Sequence, residues 1–153
     1  MKPAYVLAIR DANDRVLTVD VAPILDAIGD LSAWRFAILD FDGTGEINEV
    51  YDELRAKASG GPVWVPGSEL RELATKIQQT IDAQIAAYPA DLDREALTPA
   101  DLDVARFPAN RMSFVIAAVD STVFEVYAKD EALLDRIAAR FRDTRREDPT
   151  NYF

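Results

Sequence analysis

The chain has 153 residues, the length of one ordinary domain, with 27 acidic residues against 17 basic ones, a net charge of −10, and neither histidine nor cysteine. Those two empty columns exclude disulfides, thiolate nucleophiles, iron–sulfur ligation, the usual tetrahedral zinc ligands and any Ser-His-Asp triad. What is left for chemistry is carboxylates, lysine, tyrosine and hydroxyls, with Mg²⁺ or Ca²⁺ as the cations that oxygen donors suit.

In chain order, residues 4–10 (AYVLAIR) and 15–20 (RVLTVD) are short β-favouring runs around the turn formers Asp11-Ala12-Asn13-Asp14, which predicts a hairpin. Pro23 suits a first helical turn and Gly29 a stop, so 22–29 reads as a short helix carrying Ile24, Leu25 and Ile28. In 34–41 (WRFAILDF), Trp34, Phe36 and Ile38 alternate with Arg35 and Ala37, the period of a strand. Residues 42–46 read as a turn. Ile47, Val50, Tyr51 and Leu54 then fit one face of a helix that ends before Ser59-Gly60-Gly61. Val63-Trp64-Val65 lies between prolines, which cannot donate to a ladder, so an edge strand or extended loop is expected. Ser68 caps what reads as the longest helix, running to about Ala87 with Leu70, Leu73, Ala74, Ile77, Ile81 and Ile85 on one stripe.

Residues 89–110 contain Pro89, Pro99 and Pro108 and read as an acidic loop with a helical turn around Pro99 to Leu102. The runs 112–119 (MSFVIAAV) and 122–128 (TVFEVYA), joined by Asp120-Ser121, predict a second hairpin whose first strand is apolar enough for burial on both faces. Asp130 caps a last helix bearing Leu133, Leu134, Ile137 and Phe141. Arg136, Arg140, Arg142, Arg145 and Arg146 crowd its C-terminus, where the dipole favours cations. The sum is a single globular domain over 1–153 of class α+β. A mainly antiparallel sheet, two hairpins plus a central strand, is covered by three or four amphipathic helices.

Asp40-Phe41-Asp42-Gly43-Thr44, following an apolar strand, resembles the first motif of the haloacid dehalogenase superfamily of phosphatases. That resemblance implies Asp40 as nucleophile, Asp42 as general acid/base, Mg²⁺ held between them, and a doubly wound parallel sheet. The counterparts this sequence offers for the family's remaining groups are Ser68, Lys57 or Lys76, and Asp120. Asp40, Asp42, Thr44, Gly45, Glu46, Ile47 and Asn48 are also similar to an EF-hand calcium loop spanning 40–51, with Phe36 in its incoming helix and Tyr51 at the place of the bidentate carboxylate. The two resemblances require opposite structures before Asp40, a strand for the first and a helix for the second. A plain Asp-Gly turn with solvated carboxylates is the third reading, and it needs no cofactor.

The charge is unevenly spread. From Met1 to Glu53 acidic residues outnumber basic ones 11 to 4, and from Asp82 to Asp103 they do so 6 to 1. Such acidity repels nucleic acid and anionic membranes, and it steers basic proteins. No apolar run approaches the ~20 residues of a membrane span, and Ala4 to Ile9 is too short for the apolar part of a secretory leader, so a soluble, cytoplasmic protein is expected. In overall character, small, acidic and cysteine-free, the chain resembles bacterial immunity proteins that neutralise cationic nuclease toxins. That resemblance implies a non-enzymatic domain that binds a basic protein partner, through Asp42, Glu46 and Glu49 and through Asp91, Asp93, Asp101 and Asp103.

Overall fold

The computed structural model describes residues 3–153, so Met1 and Lys2 at the head of the leader reading lie outside the described residues. In chain order the strands are β1 (Tyr5–Ile9), β2 (Ala12–Asn13), β3 (Val16–Leu17), β4 (Trp34–Thr44), β5 (Val63–Pro66), β6 (Gln79–Pro89), β7 (Phe114–Val119), β8 (Val123–Ala128) and β9 (Thr144–Glu147). The helices are α1 (Val21–Ile28), α2 (Ile47–Lys57), α3 (Gly67–Ala74) and α4 (Glu131–Ala138), with short 3-10 helices at Arg94–Ala96, Pro99–Leu102, Val104–Ala109 and Pro149–Asn151. Seven strands form one sheet in the order β5-β4-β6-β7-β8-β1-β9, antiparallel at every junction, and β2 and β3 form a separate two-stranded ribbon. The class is therefore α+β, as the sequence predicts. The doubly wound parallel sheet implied by the phosphatase resemblance is absent, and the residues before Asp40 are a strand rather than the incoming helix of an EF-hand.

Several elements form where the sequence predicts them, with ends shifted by one to three residues: α1, α2, the edge strand β5, the β7–β8 hairpin and α4, which stops at Ala138, short of Phe141. In that hairpin Asp120 and Ser121 both adopt positive φ, 51° and 56°, as its two-residue turn requires. The expected N-terminal hairpin does not form. β1 lies between β8 and β9, and the second run contributes only two residues, Val16 and Leu17, to the small ribbon.

The long helix expected over 68–87 is also overturned. It stops at Ala74, and Gln79–Pro89 becomes β6, an inner strand of the sheet. Ile77, Ile81 and Ile85 recur every four residues, but four is also twice the strand period, so the spacing fits either structure. Across the interior of β6, Ala83, Ile85 and Ala87 face one core while Ala86 and Tyr88 face the other.

Those two cores define three layers. On one face of the sheet Leu7, Ile9, Phe36, Ile38, Ile85, Ile116 and Val126 pack beneath α1, α3 and α4, which contribute Ile24, Leu25, Leu70, Leu73, Leu134 and Ile137. On the other, Val6, Ala37, Ala86, Tyr88, Val115 and Tyr127 pack beneath residues 92–112 and the Tyr152-Phe153 pair. β7 is buried on both sides for this reason. The second cover is partial and leaves exposed the end of that face where β4 finishes and β6 begins.

Candidate interaction surface

The predicted turn at 42–46 is largely strand, and this decides where the motif carboxylates point. β4 continues to Thr44, with a bulge at Leu39 that shifts its register against β6 between Ile38 and Asp40. Beyond the bulge Phe41 turns to the helical face, where its ring meets Tyr51 edge-on at 5.5 Å. Asp40 and Asp42 therefore lie on the opposite, open face. Asp40 stands across from Gln84 and Asp42 across from Asp82, and Asp82 lies at even spacing from Ala86 and Tyr88 of the same face.

Asp82 accepts the backbone N–H of Asp120 at 2.9 Å, which brings the β7–β8 turn against the start of β6. Asp40, Asp42, Asp82 and Asp120 thus gather at one end of the sheet, and among the described residues none of them enters an ion pair. Next to them Val119 is 42% exposed, one of two large apolar side chains left open to solvent among the described residues. The outer edge of β4 is open here as well, because β5 pairs only with Arg35 to Ile38. A register row crosses the sheet on this face through Asp40, Gln84, Ala117, Glu125, Ala8 and Arg145, so its acidic end lies at β4 and its basic end at β9.

Glu125 occupies the middle of that row and is buried beside aromatic residues. The Tyr127 hydroxyl donates to its Oε1 at 2.9 Å, and the Tyr152 phenol lies near enough to feel its charge. Burial first, and then the adjoining Glu125, raise both phenols, with Tyr152 pushed up to about 12. Ring contacts with Tyr127 and Phe107 seat Tyr152 and Phe153 on this face of the sheet.

The seven carboxylates expected to bind a partner do not share one surface. Glu46 and Glu49 lie at the N-terminus of α2, next to Asp42, while Asp91 and Asp93 follow Pro89. Pro89 stands opposite Trp34, so the second group begins at the far end of the ladder, roughly 27 Å of strand from Asp42. Asp101 is no surface group at all: 6% exposed, it accepts the backbone N–H and hydroxyl of Thr98 and the backbone N–H of Arg111. The Thr98 backbone bond, foremost, holds its carboxyl below the usual range against the opposing effect of burial. Asp103 caps the 3-10 helix at Val104 through the Ala105 N–H and lies 3.6 Å from Arg106.

Asp82, Val119 and Glu125 are not among the residues singled out from the sequence, and Asp120 enters there only as a turn residue and as a counterpart for a later acidic group of the phosphatase family. A strand reading of 79–89 would have placed Asp82 across from the motif. The arginine cluster also divides: Arg136 is on α4, whereas Arg145 and Arg146 are on β9, where Arg146 pairs with Asp135 and Glu131.

Asp40 and Asp42 share a face, as the phosphatase and calcium readings require, yet among the described residues no group of three or more His, Cys, Asp or Glu side chains stands close enough to hold a metal ion. Nor does any helix there have the length and apolarity to cross a membrane. In comparisons with known proteins the chain matches no family model, no curated protein and no solved structure.

Proposed function

We propose that this chain is a protein-binding domain whose acidic sheet end, formed by Asp40, Asp42, Asp82 and Asp120, receives a basic partner. The observation that carries the reading is the direct opposition of Asp42 and Asp82, neither of which enters an ion pair among the described residues. Like charges across a ladder destabilise it, so their retention favours a surface that finds its counterions in another molecule. Exposed Val119 and the open edge of β4 offer an apolar contact and free backbone groups at the same place. The immunity-type reading narrows the partner to a cationic nuclease, and inhibition of that nuclease by this chain is its specific sign.

The test is capture of a basic protein on immobilised chain at low salt, with elution by salt. The triple variant Asp40→Asn/Asp42→Asn/Asp82→Asn is expected to lose the capture, and Asp91→Asn/Asp93→Asn to keep it. Equal retention by both variants overturns the proposal.

A further inference from the structure

We propose that two adjoining clefts at the opposite end of the sheet form a binding site for a small organic anion, a molecule with an apolar body and a carboxylate, sulfonate or phosphate head. The larger, about 910 Å³, has apolar walls from Leu92, Ala100, Pro108 and Phe153 and is also lined by Arg106 and Arg111. The smaller, about 370 Å³, shares Pro89, Asn110 and Arg111 with it. Trp34 and Phe114, whose rings meet edge-on at 5.0 Å, line this second cleft together with Lys129 and Arg136.

Charge singles these clefts out. In a chain of net charge −10, three cations line the smaller cleft against one carboxylate, Asp130, and that carboxylate is engaged with the Ala132 N–H as the cap of α4. Arg136 has no ion-pair partner among the described residues. The Arg111 Nε lies 3.8 Å from Asp101, beyond hydrogen-bond length, and the Asp101 oxygens already accept Thr98 and the Arg111 backbone. Arg106 stands equally loosely at 3.6 Å from Asp103. Lys129 is held in place, with Nζ donating to the Asn110 carbonyl and lying over the Phe107 ring, so it acts as a fixed positive charge beside the two guanidinium forks.

Guanidinium groups with unspent donors match the oxygens of a carboxylate, sulfonate or phosphate, and an anion there relieves the mutual repulsion of the cations. Cleft volumes of ~300–1,000 Å³ are those that hold small-molecule ligands, with apolar walls carrying the body and a few polar groups fixing the head. The anion's head is assigned to Arg111 and Arg136 and its body to the walls around Leu92 and Phe153.

The probe is 8-anilinonaphthalene-1-sulfonate, with N-phenyl-1-naphthylamine, which lacks the sulfonate, as its neutral counterpart. Fluorescence titration of the full chain is expected to show saturable binding of the sulfonate at one site, tighter than that of the neutral probe. Arg111→Gln/Arg136→Gln should weaken the sulfonate at least tenfold and leave the neutral probe within twofold. Arg136→Gln alone, at an exposed and unpaired residue whose loss does not threaten folding, should weaken the sulfonate about threefold. Lys76→Gln/Arg142→Gln removes the same charge at the far end of the sheet and should change neither probe. The proposal is overturned by absent sulfonate binding, by unchanged affinity in Arg136→Gln, by equal losses for the two probes, or by equal losses in the two double variants.

Discussion

Asp42 and Asp82 are direct neighbours across the β4–β6 ladder, two carboxylates in register on the open face of the sheet. Opposition of like charges at such a position costs a few tenths of a kcal/mol or more. Asp42→Asn removes the repulsion and leaves intact the hydrogen bond that Asp82 accepts from Asp120. The melting temperature should therefore rise by about 1–2 °C at low salt, with a smaller gain at high salt where the repulsion is screened. Thermal melts of both proteins at two ionic strengths check this, and a fall in Tm would mean that Asp42 has a stabilising partner.

Tyr88 anchors the second layer. Its ring is fully buried against Trp64, and its hydroxyl donates to the Asp101 carbonyl at 2.6 Å, tying β6 to the 3-10 helix at Pro99–Leu102. Tyr88→Phe keeps the packing and leaves that carbonyl without its donor, at a cost of about 1–3 kcal/mol. Hydrogen exchange should accelerate over 98–111 and remain nearly unchanged across the β7–β8 hairpin. Uniform acceleration everywhere would show that the bond supports the whole fold rather than this layer.

The Asp101 carboxyl adds a pH dependence to the same layer. Hydrogen bonds from Thr98, above all, lower its pKa in the fold, so its ionised form contributes stability above the ordinary carboxylate range. That contribution is complete at neutral pH and is lost as pH falls through the depressed folded value, below the usual 3.8. The Tm gap between the native chain and Asp101→Asn should be widest near neutrality and should close in acid. A gap that stays constant down to the lowest pH at which the chain is folded would remove the carboxylate's charge from the explanation.

The residues near these bonds also explain what was legible in advance. Local features with local causes could be read directly: the Asp120-Ser121 turn, the Asp130 cap and the proline-flanked strand at Trp64. Partners far apart in the chain could not. β1 finds β8 and β9 more than a hundred residues away, and no feature of AYVLAIR announces that choice over the adjacent RVLTVD. The stretch around Ile77, Ile81 and Ile85 satisfied two periods at once, and the sheet selected the strand. Reading it as a helix hid Asp82, and with it the opposition that gives the DFDGTG segment its setting. Asp101 was misjudged for a related reason. An acidic residue in an acidic run looks solvated until the backbone donors around it are known.

Tyr127 and Tyr152 predict behaviour at the alkaline end. Burial, reinforced by the adjoining Glu125, raises both phenols, and Tyr152 is pushed up to about 12. A folded pKa above the unfolded value of ~10 means that the neutral phenol's contribution is whole below pH 10 and is lost as pH climbs toward the folded value. Melts should show Tm falling between pH 10 and 12, and Tyr152→Phe should flatten part of that fall. An equally steep decline in the variant would place the alkaline sensitivity elsewhere.

The glycines of the motif have a packing explanation that can be separated from backbone strain. Gly45 has φ +113°, and a Cβ there would come within 2.6 Å of the Lys76 carbonyl oxygen and 2.7 Å of the Gln78 nitrogen. The contact is close because the two segments are bonded: Gln78 N donates to Thr44 O at 2.8 Å, and Ile47 N to Lys76 O at 3.1 Å. Gly60 also has a positive φ, +76°, with open space around it. Alanine at either position carries the left-handed penalty of about 1–2 kcal/mol, and only at Gly45 does it also force backbone apart. Denaturant melts should therefore find Gly45→Ala destabilised well beyond Gly60→Ala, by about 2 kcal/mol or more. Equal losses would mean that the α3–β6 connection yields to the added methyl, and the close seating of residues 76–78 on this glycine would then contribute little to stability.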